Sequence, residues 1–163
     1  MSEITHPDRS IPRELQEEVT RLEIEAVQRF NIRRFDESMR LYRQVLEILS
    51  SAQEQFGHPI HKGASLYMIG ICYSVTNQHD RALRYITLAY IEDTLNVSFG
   101  HEDEADRAPA ARMLRDFYGI RMEILTTIKQ IANEAKKAGE WSSILNPETL
   151  LHRLEERLRI NGN

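Results

Sequence analysis

Cysteine is nearly absent from this chain. Cys72 is the single one, which excludes an intrachain disulfide and fits a reducing, cytoplasmic setting. Its neighbours Ile69, Ile71 and Val75 mark it as a small packing residue rather than a reactive thiol. Glycine and proline are scarce as well, seven and five, too few for a disordered chain or for a β-rich one with many turns. No apolar run reaches the roughly 18 residues that span a membrane, so no membrane partner is expected. The opening MSEITHPDRSIPRELQ holds no apolar segment of the signal-peptide kind. Lysine occurs only as Lys62, Lys129, Lys136 and Lys137, and every other cation is arginine. Arginine suits bidentate contacts with carboxylates and phosphates, although GC-rich coding gives the same bias more simply.

The formal net charge of −4 argues against non-specific nucleic-acid binding. No P-loop, GxGxxG, Gly-x-Ser-x-Gly, CxxC or HExxH is present. Cofactors, metals and catalytic residues are therefore not assigned, and the balance is against an enzyme. HEDEAD at 101–106 has the acids of a metal site without the spacing, and reads as a solvated loop.

What the chain does have is helical periodicity, and 163 residues are enough for a single domain with a real core. Residues 1–10 read as a flexible lead-in, with Ser10 as N-cap and Pro12 in a first turn. Leu15, Val19, Leu22, Ala26 and Phe30 then share one helix face. After a break at Asn31–Arg34, Met39, Tyr42, Val45, Leu46 and Leu49 form the stripe of a second helix running to about Phe56. The loop Gly57-His58-Pro59-Ile60-His61-Lys62-Gly63 comes next. Two further helices, joined at Asn77-Gln78-His79-Asp80, carry Leu66, Ile69, Gly70 and Tyr73, then Ala82, Leu83, Ile86, Ala89 and Tyr90. Residues 96–106 read as a connection. A third hairpin begins near Asp106, is broken or bent at Gly119, and ends at Gly139. Trp141–Leu145 reads as a loop whose Trp packs back on the bundle. Asn146 caps a last helix with Pro147 at its first place, and Leu150, Leu151, Leu154 and Leu158 make its stripe. No stretch shows the alternation of a strand. The fold class is all-α.

Gly70, Tyr73, Ala82, Ile86 and Ala89 have a further property. A tetratricopeptide repeat (TPR) places a small residue eighth, an aromatic eleventh, Ala twentieth, a large apolar residue twenty-fourth and Ala twenty-seventh, and these five fit that spacing. The stretch from Gly63 to Asp93 thus resembles a TPR, with Leu66 in place of the usual Trp. A weaker copy has Ser38, Tyr42 and Val45 in the last three places, 44 residues upstream rather than 34, with Arg29 where the aromatic belongs. The resemblance implies a short stack of antiparallel helix hairpins, an α-solenoid or bundle with a C-terminal capping helix. It implies an adaptor or scaffold that holds a protein or peptide partner in a groove lined by Tyr67, Ile71, Ser74 and Val75, with Val27 and Phe30 from the weaker copy. The leucine stripe of the last helix offers a face to a second copy of the chain as an alternative to capping.

One end of the central hairpin departs from helix charge preference. Antiparallel register brings His61 and Lys62, at a helix N-terminus, beside Glu92 and Asp93, at a helix C-terminus. Both placements oppose the macrodipole, and each offsets the other if they meet. Local rules tend to break at functional places. Two readings stay open: a structural lock that ties the loop to the hairpin, or a small-ligand or catalytic site built from His58, His61, Lys62, Tyr90, Glu92 and Asp93. A second cluster, Arg29, Arg33, Arg34, Arg40 and Arg43, reads as a salt-bridged solvated face.

Overall fold

The computed structural model describes residues 11–97, 101–140 and 146–161, so the expected lead-in at 1–10 and the Trp141–Leu145 loop lie outside the described residues. Among the described residues every regular element is helical and none is a strand. The long elements are α1 (Arg13–Asn31), α2 (Phe35–Phe56), α3 (Gly63–Val75), α4 (His79–Asn96), α6 (Met122–Ala138) and α7 (Pro147–Asn161). Between α4 and α6 lie a 3₁₀ turn, Glu102–Arg107, and the short α5, Pro109–Arg112, which opens into a wide π turn, Met113–Phe117.

Each of the first hairpins turns in the same way. Arg33 and Asn77 adopt left-handed backbone, φ 64° and 62°. The next N–H reaches back five residues, Arg34 to the Arg29 carbonyl (2.9 Å) and Gln78 to the Tyr73 carbonyl (2.8 Å). That closes the last turns of α1 and α3 without glycine, and Asn tolerates the conformation better than Arg. Gly57 and Gly139 do the same work for α2 and α6 at φ 69° and 67°. Pro12 holds the N-cap place of α1, one position earlier than the first-turn place expected, and no side chain caps that end. Asn146 caps α7 as its sequence suggests, accepting from the Glu148 N–H at 3.1 Å.

The packing keeps chain order: α1 against α2, α2 against α3, and α3 most closely against α4. From there α4 becomes the hub, meeting α5, α6 and α7. α7 covers α4 and α6, with Leu150, Leu151 and Leu154 buried in the main core and Leu158 packed against it. The leucine stripe is thus used within the chain. Val19, Leu22, Val45, Leu49, Ala52 and Ile60 form a smaller core under the first hairpin. Cys72 is fully buried, and burial raises its thiol above the ordinary value against the opposing pull of Ser38 and Arg43. It is the packing residue expected. No helix among the described residues is long and apolar enough to cross a membrane.

Candidate functional site

The polar end forms because the loop between α2 and α3 is fastened twice. Ile60 inserts its side chain into the smaller core and is 1% exposed. Its N–H donates to Gln53 Oε1 (3.1 Å). Two residues on, Lys62 turns inward and is 6% exposed. Lys62 Nζ donates to the same Gln53 oxygen (2.6 Å) and to the Ile60 carbonyl (3.0 Å). It also stands 3.1 Å from Glu92 Oε1, an ion pair off the hydrogen-bonding direction, so that Oε1 itself accepts no bond. The other oxygen, Oε2, accepts the Lys62 backbone N–H (3.2 Å). Beside this pair, His61 Nε2–H donates to Asp93 Oδ1 (3.0 Å) nearer the surface. Both charge pairings expected from antiparallel register are therefore made.

Gly63 lets them close. A Cβ there would sit 2.5 Å from His61 Nε2 and 2.9 Å from Asp93 Oδ1. Any side chain at 63 would push the imidazole off the carboxylate.

The remaining members of the proposed site go elsewhere. Tyr90 is buried and donates to Asp106 Oδ1 (2.6 Å), whose other oxygen accepts from Lys129 Nζ (2.8 Å). Burial, and then the bond to Asp106, raise the Tyr90 phenol far above its ordinary value. Burial works against the Asp106 charge, but the bonds from Lys129 and Tyr90 outweigh it and hold the carboxyl below the usual range. HEDEAD is consequently not a mere solvated loop: it folds as a 3₁₀ turn that buries Ala105 and aims Asp106 at α4 and α6. His58 lies outside both networks, its ring 6.2 Å from that of Phe56. Lys136 caps the end of α4 through the Thr94 and Val97 carbonyls, 2.8 and 2.7 Å. Among the described residues no three His, Cys, Asp or Glu side chains gather as metal ligands.

Asp106 has a pH consequence. Its folded pKa lies below the unfolded value of about 4. Its stabilisation is therefore full above that pH and is lost as pH falls through the folded pKa. Lys129→Met should lose about 1–2 kcal/mol at neutral pH. Melting temperatures of the two proteins should converge as pH is lowered below about 4, and parallel curves would show that Lys129 does not act through Asp106.

A cavity of about 180 Å³ adjoins the polar end between α1 and α3, lined by Gln16, Thr20, Glu23, His61, Lys62 and Ser65 among others. It is smaller than the roughly 300–1,000 Å³ usual for ligand sites. Chemically, the arrangement offers a histidine–carboxylate pair and a lysine whose partners are all internal.

The groove residues divide differently. Val27 and Val75 are 45% and 47% exposed, while Tyr67 and Ile71 are half-buried. Tyr67 lines an open cleft of about 400 Å³ with Pro109, Arg112, Met113, Asp116 and Phe117. Phe117 is 60% exposed. Phe30 is committed edge-on to Phe35, centroids 5.2 Å apart. Ser74 is buried and accepts from the Tyr118 hydroxyl (3.0 Å), whose oxygen in turn lies 2.9 Å from His79 Nδ1. Sequence reading missed Phe117 and Tyr118 as neighbours of α3, because only the fold brings the π turn there. The arginine cluster also separates. Arg29 and Arg34 pair with Glu25 and Glu37 (3.5 and 3.6 Å), whereas Arg43 donates to the Tyr73 hydroxyl at 2.5 Å.

No protein-family model matches the chain, and no curated protein or solved structure matches it either. The all-helical stack therefore stands on its own geometry.

Proposed function

We propose that the chain is a TPR-like interaction module that holds a segment of a partner protein against α3 and the π turn. The open cleft between Tyr67 and the exposed Phe117, with Val75 exposed on the same helix as Tyr67, carries this reading. Exposed Phe117 beside the half-buried Tyr67 and Met113 suits the apolar side of a peptide or helix, and the exposed Arg112 and Asp116 offer it polar contacts. The polar end supports the same reading from the other side. Lys62 and Glu92 are consumed in holding the loop, which is the behaviour of a lock. The protein would then act as an adaptor or scaffold, without chemistry of its own.

A photo-crosslinking residue placed at 75 or 117 in the native host should capture one defined protein, and the same residue at exposed position 134 should not. With that protein purified, Val75→Asp and Phe117→Ser should each weaken binding by about 2 kcal/mol or more, the range of interface hot spots. Both sites are exposed, so stability should change by only about 0.5 kcal/mol. Equal capture from position 134, or undiminished binding by both variants, would remove the proposal.

A further inference from the structure

A slot of about 340 Å³ opens where α4, α6 and α7 meet. Its walls are aliphatic, with Leu114, Ile120, Ile124, Ile128, Leu151 and Leu154 contributing. Its volume falls within the range of small-molecule sites, roughly 300–1,000 Å³. Protein interiors are close-packed, and apolar side chains beside open space forgo dispersion contacts. Ile120 and Ile124 remain only partly buried here, although each packs against the core. An apolar body in the slot would complete their surroundings.

The wall has a second peculiarity. Leu114 belongs to the π turn, in which the Tyr118 N–H reaches the Met113 carbonyl (3.1 Å), one residue further back than in an α-helix. The Ile120 N–H then returns to the Leu114 carbonyl (2.8 Å). This wide reversal sets Leu114 and Ile120 on the slot wall together. Such turns are rare and concentrate at functional sites.

Charge at the rim narrows the occupant. Asp80, Arg84 and Glu155 border the slot. Arg84 is held by Glu148 at the start of α7. Among the described residues neither Asp80 nor Glu155 has a cation within ion-pair distance, which leaves the rim negative.

We propose that this slot binds a small cationic amphiphile: an alkyl chain or single ring against the half-buried Ile120, Ile124 and Leu158, with an amine head at Asp80 and Glu155. The proposal does not rest on the partner-binding reading, whose cleft lies between Tyr67 and Phe117.

The probes are n-octylamine, n-octanoate and n-octanol, added below micelle-forming concentrations to methyl-labelled protein. Octylamine should shift the methyl signals of Ile124, Ile128 and Leu154 saturably and leave those of Val27 and Val75 in place. Octanoate should bind about five- to tenfold more weakly, the scale of partly exposed ion pairs. The double variant Asp80→Asn/Glu155→Gln should lose the preference for the amine while still binding octanol. Ile124→Phe, which narrows the slot, should weaken all three. The proposal is overturned by equal affinity for amine and acid, by shifts centred elsewhere, by the absence of saturation, or by a concentration-dependent dimer that covers these methyl groups without any probe.

Discussion

Lys62→Ala should cost about 3–5 kcal/mol, because it strands a carboxylate that is 4% exposed. A domain of this kind has only about 5–15 kcal/mol in total, so the variant should melt far below the parent or fail to accumulate. The cost is not the strength of the ion pair. It is the desolvation of Glu92 left without its cation, together with the Gln53 and Ile60 oxygens that lose the Nζ donor. That origin can be tested. Lys62→Met/Glu92→Gln removes both charges, keeps the length of the lysine stem, and retains an acceptor for the Lys62 N–H. Apolar or neutral replacement of both partners of a buried pair is often nearly neutral. The double variant should therefore recover most of the loss in urea titrations. If Lys62→Ala melts within a degree or two of the parent, the polar end is not a lock, and the case for a site there reopens.

Gly70→Ala should destabilise the protein although it adds a single methyl to a helix interior. Helix propensity alone favours alanine by about 1 kcal/mol. Against that, a Cβ at this place would lie 2.5 Å from Ile86 Cγ1, 3.2 Å from the Ile86 nitrogen and 3.3 Å from the Ala82 carbonyl oxygen. Ile86 and Ala82 are themselves fully buried, so neither has room to retreat. The contacts with backbone atoms mean that α3 and α4 must separate, and overpacking of this sort costs about 1–3 kcal/mol or more. A net loss of about 2 kcal/mol is expected in equilibrium unfolding. Ile86→Ala in the same chain removes the closest atom. The pair should consequently be less destabilised than the sum of its single changes. A stabilised Gly70→Ala would mean the two helices do not meet as closely as the structure places them.

Gly70 was readable beforehand because small residues at helical spacing on facing segments mark close approach. The meeting of His61 and Lys62 with Asp93 and Glu92 was readable for a related reason. Two helices reversing at a short joint have one register, and a charge that opposes its helix dipole needs a partner. Gln53 gave a signal that is visible in hindsight: it falls on the stripe of Leu49 and Ala52, where a polar side chain must find a buried bond. Asp106 and Lys129 gave none, since their meeting depends on how a 3₁₀ turn seats α6 against α4. The π turn was equally hidden. Gly119 marked the end of that segment, but nothing in its spacing distinguishes a wide turn from an ordinary one. Of the groove residues, Phe30 packs on its sequence neighbour Phe35 and Ser74 bonds Tyr118 from a distant turn, and periodicity reveals neither.

The shared bond acceptor on Gln53 gives the uneven spacing of the two hairpins a meaning for descent. In the TPR-like reading, Ser38 and Ala82 take equivalent places 44 residues apart, ten more than a regular period. The surplus is the end of α2 and the loop after it, the stretch that carries Gln53 and Ile60. A tandem duplication of an even unit would carry no such stretch. An array with this bracket cannot lengthen by copying one hairpin after another without losing the Gln53–Lys62 contact at the new junction. Relatives that share this TPR-like stack should therefore keep one such joint.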